Sequence, residues 1–278
     1  MRTGTEFLDP STVAASAAVS ASTTSYATYP CLANKRVLVT GGGSGIGAAI
    51  VRAFAEQQAH VCFLDIDCDA SEYLVRSLSH SAYPPIFRKC DVTDLGALAE
   101  TIGDVQARSG LTEVLINNAA NDTRHAIADI SPEAWDDNIA VNLRHLFFCA
   151  QAVLPGMQAN GAGVILNLGS ISWHRALPDL ALYVTAKAAI EGLTRGLAKD
   201  LGKSGIRVNS IIPGAVRTPR QTRLWHTPEE ESNILAGQCL QKRVEPEHVA
   251  AMALFLASQN AASCTGRDYF VDAGWYGT

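Results

Sequence analysis

The sequence has no apolar run approaching the ~20 residues that a membrane-spanning helix needs. Nor does it carry an excess of positive charge, since 22 Lys and Arg face 27 Asp and Glu, a formal net charge of −5. No membrane span is therefore expected, and neither nucleic acid nor an anionic membrane is expected as a partner. Paired metal-ligand spacing is missing too. The seven cysteines, Cys31, Cys62, Cys68, Cys90, Cys149, Cys239 and Cys264, are scattered, odd in number and never in a C-x-x-C pair. That pattern excludes a zinc ribbon and a disulfide framework, and it suits a reducing cytoplasm. The seven histidines are equally dispersed, none three or four residues from another. No metal is expected.

The first 34 residues, rich in Ala, Ser and Thr, lack a continuous apolar stretch behind a basic start, and Arg2 is offset by Glu6 and Asp9. They read as a solvated tail rather than as a secretory or organelle-targeting segment. The folded domain is expected to run from Lys35 to the C-terminus.

From Lys35 onward the pattern is that of alternating strands and helices. "RVLVT" leads into "GGGSGIG" and then into "AAIVRAFAEQQA", whose apolar residues recur at helical spacing, before a second apolar run, "HVCFLDID". This is a strand, glycine turn, helix and strand, a βαβ unit with a right-handed crossover. Further strands are expected in "PIFRKCDV", "EVLINNAA", "GVILNLGS", "RVNSIIPG" and "DYFVDAG", with helices around 94–109, 131–158, 181–202 and 246–258. Strands apolar on both faces, separated by helices, indicate a single-domain, Rossmann-type doubly wound parallel sheet with helices on both faces, an α/β fold.

In the glycine turn, Gly41, Gly45 and Gly47 allow positive φ and close backbone approach, and Ser44 and Ile46 lie among them. The helix N-terminus beyond offers free N–H groups and a partial positive charge to a pyrophosphate. A glycine turn alone is weak evidence, but this one follows a strand, opens a helix, and precedes Asp65 by eighteen residues counted from Gly47. A carboxylate at that strand end accepts ribose hydroxyls and repels a 2′-phosphate. With no Arg or Lys in the turn, the expected cofactor is NAD rather than NADP.

The second constellation is "YVTAK". Tyr183 and Lys187 lie four apart, hence on one helical face, with Ser170 thirteen residues upstream of Tyr183 closing the run "GVILNLGS". A phenol titrates at about 10 unperturbed. An adjacent ammonium favours the phenolate and lowers that value, which makes Tyr183 a usable proton acceptor for alcohol oxidation.

Together "TGGGSGIG", "CDVTD", "NNAA", "VNLRH", Ser170, "YVTAK" and "PGAVRT" resemble the short-chain dehydrogenase/reductase family over residues 35–278. The resemblance implies Tyr183 as catalytic acid/base, Ser170 as the orienter of the substrate oxygen, Lys187 as perturber of Tyr183 and holder of the nicotinamide ribose, and Asn142 as holder of a relay water. It also implies that Asp91 and Val92 flank adenine, that Asn118 supports the cofactor, and that Pro213, Gly214, Val216 and Thr218 contact its nicotinamide side. One departure is Ala120, where the family's usual N-N-A-G ends in glycine.

"NDTRH", "GSISWH", "WHTPEEE" and "DAGW" resemble the bacterial NAD-dependent sugar 1-dehydrogenases, those acting on D-xylose more closely than those acting on L-arabinose. That resemblance implies oxidation of an aldose at the C1 hydroxyl to a lactone. Asn121, Arg124, His125, Trp173, His174 and Trp225 supply polar groups and aromatic faces of the kind a sugar needs. The connection 217–237 is expected to be a mobile lid. Its Arg217, Arg220 and Arg223 raise a rival reading, a 3-oxoacyl-carrier-protein reductase docking an acidic carrier. A dinucleotide-binding scaffold without turnover is a third. The family implies a homotetramer, with the apolar helices near 131–158 and 181–202 at one interface.

Overall fold

The computed structural model describes residues 26–277. Seven parallel strands form one sheet: β1 (Arg36–Thr40), β2 (His60–Asp65), β3 (Ile86–Lys89), β4 (Val114–Asn117), β5 (Gly163–Leu168), β6 (Ile206–Pro213) and β7 (Asp268–Val271). Their spatial order is β3-β2-β1-β4-β5-β6-β7, with Val37 paired to Val61 on one side and to Val114 on the other. The chain first winds outward from β1 through β2 to β3 and then resumes at β4. The β1/β4 boundary is therefore the topological switch point, where α/β sheets bind ligands beyond their strand ends.

The helices are α1 (Gly45–Glu56), α2 (Cys68–Ser77), α3 (Leu95–Ser109), α4 (Pro132–Ile139), α5 (His145–Ala159), α6 (Ala181–Leu201), α7 (Pro219–Leu224), α8 (Pro228–Ala236) and α9 (Pro246–Ala257). Successive strand side chains face opposite layers. Val37, Val39, Val61 and Phe63 pack with Ile50 and Phe54 of α1 and Leu254 of α9. Leu38, Cys62, Leu64 and Leu115 pack on the other face with Ile102 of α3 and Cys149 and Val153 of α5. This two-sided burial explains the near-continuous apolar strands.

Three features differ from the sequence reading. The described part of the expected tail is docked: the Tyr29 amide donates to Gln57 Oε1 at 2.7 Å, Gln57 Nε2 donates to the Ala27 carbonyl at 3.1 Å, and Leu32 is buried in the core. Residues 26–34 thus belong to the packed unit, with Leu32 buried and Tyr26, Tyr29 and Cys31 packed against the core beside it; residues 1–25 lie outside the described part. The single helix expected over 131–158 is two, joined by a π-helical segment, Ala140–Arg144. Finally, the expected lid 217–237 contains α7 and α8, each begun by a threonine, Thr218 or Thr227, whose hydroxyl accepts an amide proton of the first turn, followed by a proline at the first helical position. Among the described residues, no helix is long and apolar enough to cross a membrane.

Candidate active site

The C-terminal ends of β1, β2, β4, β5 and β6 carry the residues singled out in the sequence. At the end of β1, Gly41 has φ +66°, and a Cβ there would lie 2.7 Å from the Ala119 Cα. A Cβ on Gly47 would lie 1.9 Å from the Gly41 carbonyl oxygen. The turn can exist only without side chains at these positions. Gly43, which the sequence reading passed over, donates its N–H to Asp65 Oδ2 at 2.7 Å, while Asp65 Oδ1 accepts from the Asp67 amide at 2.9 Å. Asp65 is thereby fixed at the lip of the turn. Ser44 precedes α1 without capping it and is exposed, and Ile46 lies in the first turn. Thr218 closes the far side, its methyl carbon 3.3 Å from where a Gly45 Cβ would be. A Cβ-free cradle opening a helix, with a carboxylate at its rim, fits a dinucleotide.

Asn118 fastens this turn to β4, with Nδ2 donating to the Thr40 and Gly41 carbonyls at 3.1 and 2.8 Å. Ala120 is exposed and has no positive φ, so nothing in the local backbone demands glycine there. Asp91 caps its own turn, accepting from the Thr93 amide and hydroxyl, and Val92 is buried beside it. Pro213 ends β6 with its carbonyl accepting from the Ile171 amide at 3.1 Å, and Gly214 lies against Asp272, where a Cβ would be 2.7 Å from the Asp272 Cα. Val216 bridges to Val244.

Tyr183 lies half-buried in the first turn of α6, near Ser170, the residue that follows β5 by one glycine. Lys187 stands one turn further, with Nζ 5.4 Å from the Tyr183 ring centroid and donating to the Leu168 carbonyl at 2.7 Å. Ser170 Oγ is 2.7 Å from Ser172 Oγ. Burial lowers the Lys187 ammonium to about 8, against a partial opposing effect of Asp122. The phenol departs from the sequence expectation: burial pushes its pKa up, the Asp122 carboxylate pushes the same way, and only the Ser170 hydrogen bond opposes them. Desolvating a phenolate outweighs the ammonium expected to favour it.

Asn142 sits fully buried in the π-helical segment. Its Oδ1 accepts from the Asn121 amide at 2.8 Å, and its Nδ2 donates to the Asn121 carbonyl at 3.0 Å and to Asn138 Oδ1 at 3.1 Å. Beneath it, two residues without a role in the sequence reading tie the sheet to its helices. Asn117 Nδ2 donates to Asn167 Oδ1 at 2.9 Å, and Asn167 Nδ2 donates to Thr194 Oγ1 of α6 at 3.0 Å. A buried asparagine on a strand otherwise made of Val, Leu and Ile was the available signal, since a buried amide is costly unless hydrogen-bonded, and Asn117 spends its Nδ2 this way while its Oδ1 stays without a partner.

The six residues expected to meet a sugar fall into two groups. Asn121, Arg124 and Trp225 lie together, the Arg124 guanidinium 4.5 Å from the Trp225 ring centroid, and His125 Nε2 accepts from the Leu182 amide at 3.4 Å. Trp173 and His174 direct their ring nitrogens at Glu191 Oε1 instead, at 2.7 and 2.8 Å, and the His174 ring packs 4.3 Å from that of Tyr276. Their polar groups are spent on this buried carboxylate. Of the three lid arginines, Arg217 pairs with Glu245 and Arg220 with Asp122.

A family model described as Enoyl-(Acyl carrier protein) reductase matches residues 41–276. D-xylose 1-dehydrogenase of Caulobacter vibrioides is 53% identical over 251 residues, 90% of this chain and 99% of that one. The chain belongs to the short-chain dehydrogenase/reductase family. This chain is also 43% identical, over 88% of its own length and 96% of the other's, to "Probable galactose dehydrogenase GalD" of Rhizobium meliloti. Among solved structures, the 3-oxoacyl-[acyl-carrier protein] reductase of Brucella melitensis superposes with a TM-score of 0.83 at 29% identity, covering 90% of this chain and 94% of that one. The dehydrogenase is thus an oxidoreductase of the nicotinamide-dependent kind.

Proposed function

We propose that the dehydrogenase oxidises the C1 hydroxyl of a cyclic aldose, D-xylose before other sugars, to the lactone with NAD as cofactor. The observation that carries the chemistry is Tyr183, half-buried in the first turn of α6 near Ser170, with the Lys187 ammonium 5.4 Å from its ring centroid. Identity of 53% and 43% to two sugar dehydrogenases supports the substrate class over the carrier-protein reductase, at 29%. Pairing of Arg217 and Arg220 within the chain also leaves less of a basic strip for an acidic carrier.

In this reading Ser170 donates a hydrogen bond to the C1 oxygen, and Tyr183 Oη, which its raised pKa keeps a neutral phenol, takes the C1 proton as it gives up its own into the relay. NAD, when bound, accepts the hydride. Lys187, with a proton affinity near neutrality, holds the nicotinamide ribose and passes the proton onward past Asn142. The glycine turn with Ser44 and Ile46 holds the pyrophosphate, Asp65 the adenosine ribose, Asp91 and Val92 the adenine, and Asn118, Pro213, Gly214, Val216 and Thr218 the nicotinamide half. Asn121, Arg124, His125 and Trp225 meet the sugar in this reading, while the ring nitrogens that Trp173 and His174 turn to Glu191 are engaged elsewhere. The same reading has a cytoplasmic homotetramer in which α5 and α6 meet their copies, and the exposed Phe147 on α5 supports such a face.

Mixing the protein with NAD or NADP and each of D-xylose, L-arabinose, D-glucose, D-galactose and L-fucose, while following nicotinamide absorbance, tests this. NADH formation with a pentose, lost by roughly 10²- to 10⁴-fold in Tyr183→Phe, is expected, because that is what proton transfer contributes. Silence with all sugars and turnover of a 3-oxoacyl thioester with NADPH would overturn it.

A further inference from the structure

Asp122 belongs to none of the expected site residues, yet it ties the segment 121–125 to α7. One of its carboxylate oxygens, Oδ1, is 3.3 Å from Nε and Nη2 of Arg220, and Oδ2 accepts from Gln221 Nε2, so two consecutive residues of α7 grip both oxygens. A second clasp joins the same two segments two residues on, where Arg124 lies over Trp225. The gripped segment is anchored inward as well. Asn121 holds the side chain of Asn142 through its own amide and carbonyl. The His125 amide donates to the Asp179 carbonyl at 2.9 Å, and its ring accepts from the Leu182 amide, next to Tyr183. Residues 121–125 are therefore a strap that touches the lid, the relay asparagine and the first turn of α6.

The charge of Asp122 is felt at both ends of the catalytic pair: it raises the proton affinity of Tyr183 and of Lys187. The other groups facing that pair are the Ser170 hydroxyl from the β5–α6 loop and His145 at the start of α5, which the Lys187 charge and burial hold neutral, at about 4. Arg220, behind Asp122 on α7, is the counter-charge that partly neutralises it.

We propose that Asp122 is a positioning residue of the reaction: held by Arg220 and Gln221 on a strap that also grips Asn142 and the first turn of α6, it makes the proton-transfer site respond to where α7 sits. When the lid grips Asp122, Arg220 shields the carboxylate; when α7 moves away, the unshielded charge binds protons more strongly into the pair. The inference rests on the proposed roles of Tyr183 and Lys187 and adds the lid's influence on them.

The test is a pH titration of Lys187 by NMR in protein labelled with 13C at the lysine ε carbon, the signal assigned by its loss in Lys187→Met. Asp122→Asn is isosteric and removes the charge, so the Lys187 titration is expected to move down by on the order of one pH unit. Arg220→Met unshields the carboxylate and is expected to move it up. A scaffolding role would give no shift, or shifts of one sign in both variants, and either result overturns the proposal. The pH profile of kcat/KM for sugar oxidation is then recorded for both variants, with its acid limb expected to shift in the same opposite directions. Opposite NMR shifts without turnover of any sugar would sustain the role of Asp122 and refute the sugar reading. Sugar turnover with an unmoved Lys187 titration would do the reverse.

Discussion

Glu191→Ala is expected to be among the more damaging single changes outside the catalytic residues, and its cost follows from the contacts around the carboxylate. Glu191 is buried to 6% exposure, and its Oε1 accepts from Trp173 Nε1 and His174 Nε2 at 2.7 and 2.8 Å. Removing the acceptor leaves two buried ring N–H groups unpaired, at roughly 1–3 kcal/mol each. Arg195 Nη2, 3.6 Å from Oε2, is half exposed and pairs with Asp268 as well, so its loss adds little. The sum is about 4 kcal/mol, or roughly 8–16 °C in Tm for a large single domain. Glu191→Gln keeps an acceptor oxygen and is expected to cost about 1–2 kcal/mol. Thermal denaturation at matched protein concentration separates the two, since association also shifts Tm. An alanine variant within about 1 kcal/mol of wild type, or no worse than glutamine, would refute the reasoning and return Trp173 and His174 to the sugar.

Three further outcomes are expected. Lys187 titrates at about 8 in the fold against 10.5 in the free side chain, so between these values the unfolded chain binds more protons and stability rises with pH. Wild type should gain on the order of a few kcal/mol relative to Lys187→Met from pH 8 to pH 10.5, read by denaturant unfolding at each pH; a flat difference would contradict the depressed value. Gly47→Ala puts a methyl 1.9 Å from a carbonyl oxygen and should abolish NAD binding in calorimetry, if the variant folds at all; wild-type affinity would show that the turn is not the cradle. Asp65→Ser should lower the NAD to NADP ratio of kcat/KM by roughly tenfold or more, as loss of one repelling charge worth about 1.4 kcal/mol predicts, and an unchanged ratio would place cofactor choice elsewhere.

Sequence alone determined the seven strands, the glycine turn, Asp65 at its rim and the Ser170, Tyr183 and Lys187 set, because each rests on local periodicity or fixed spacing along one chain segment. Helix spacing put Tyr183 and Lys187 on one face whatever surrounded them. What surrounds them was decided by the tertiary structure. Burial, a property of the whole packed domain, turned the expected fall in the Tyr183 pKa into a rise. Packing also took Trp173 and His174 to Glu191, eighteen and seventeen residues along the chain. Asp122 meets Arg220 across a sequence separation of 98, with no periodicity or motif linking them. Such long-range pairings are fixed only once the whole chain has folded, so the contacts joining α7 to residues 121–125 belong to the fold and not to any stretch of sequence.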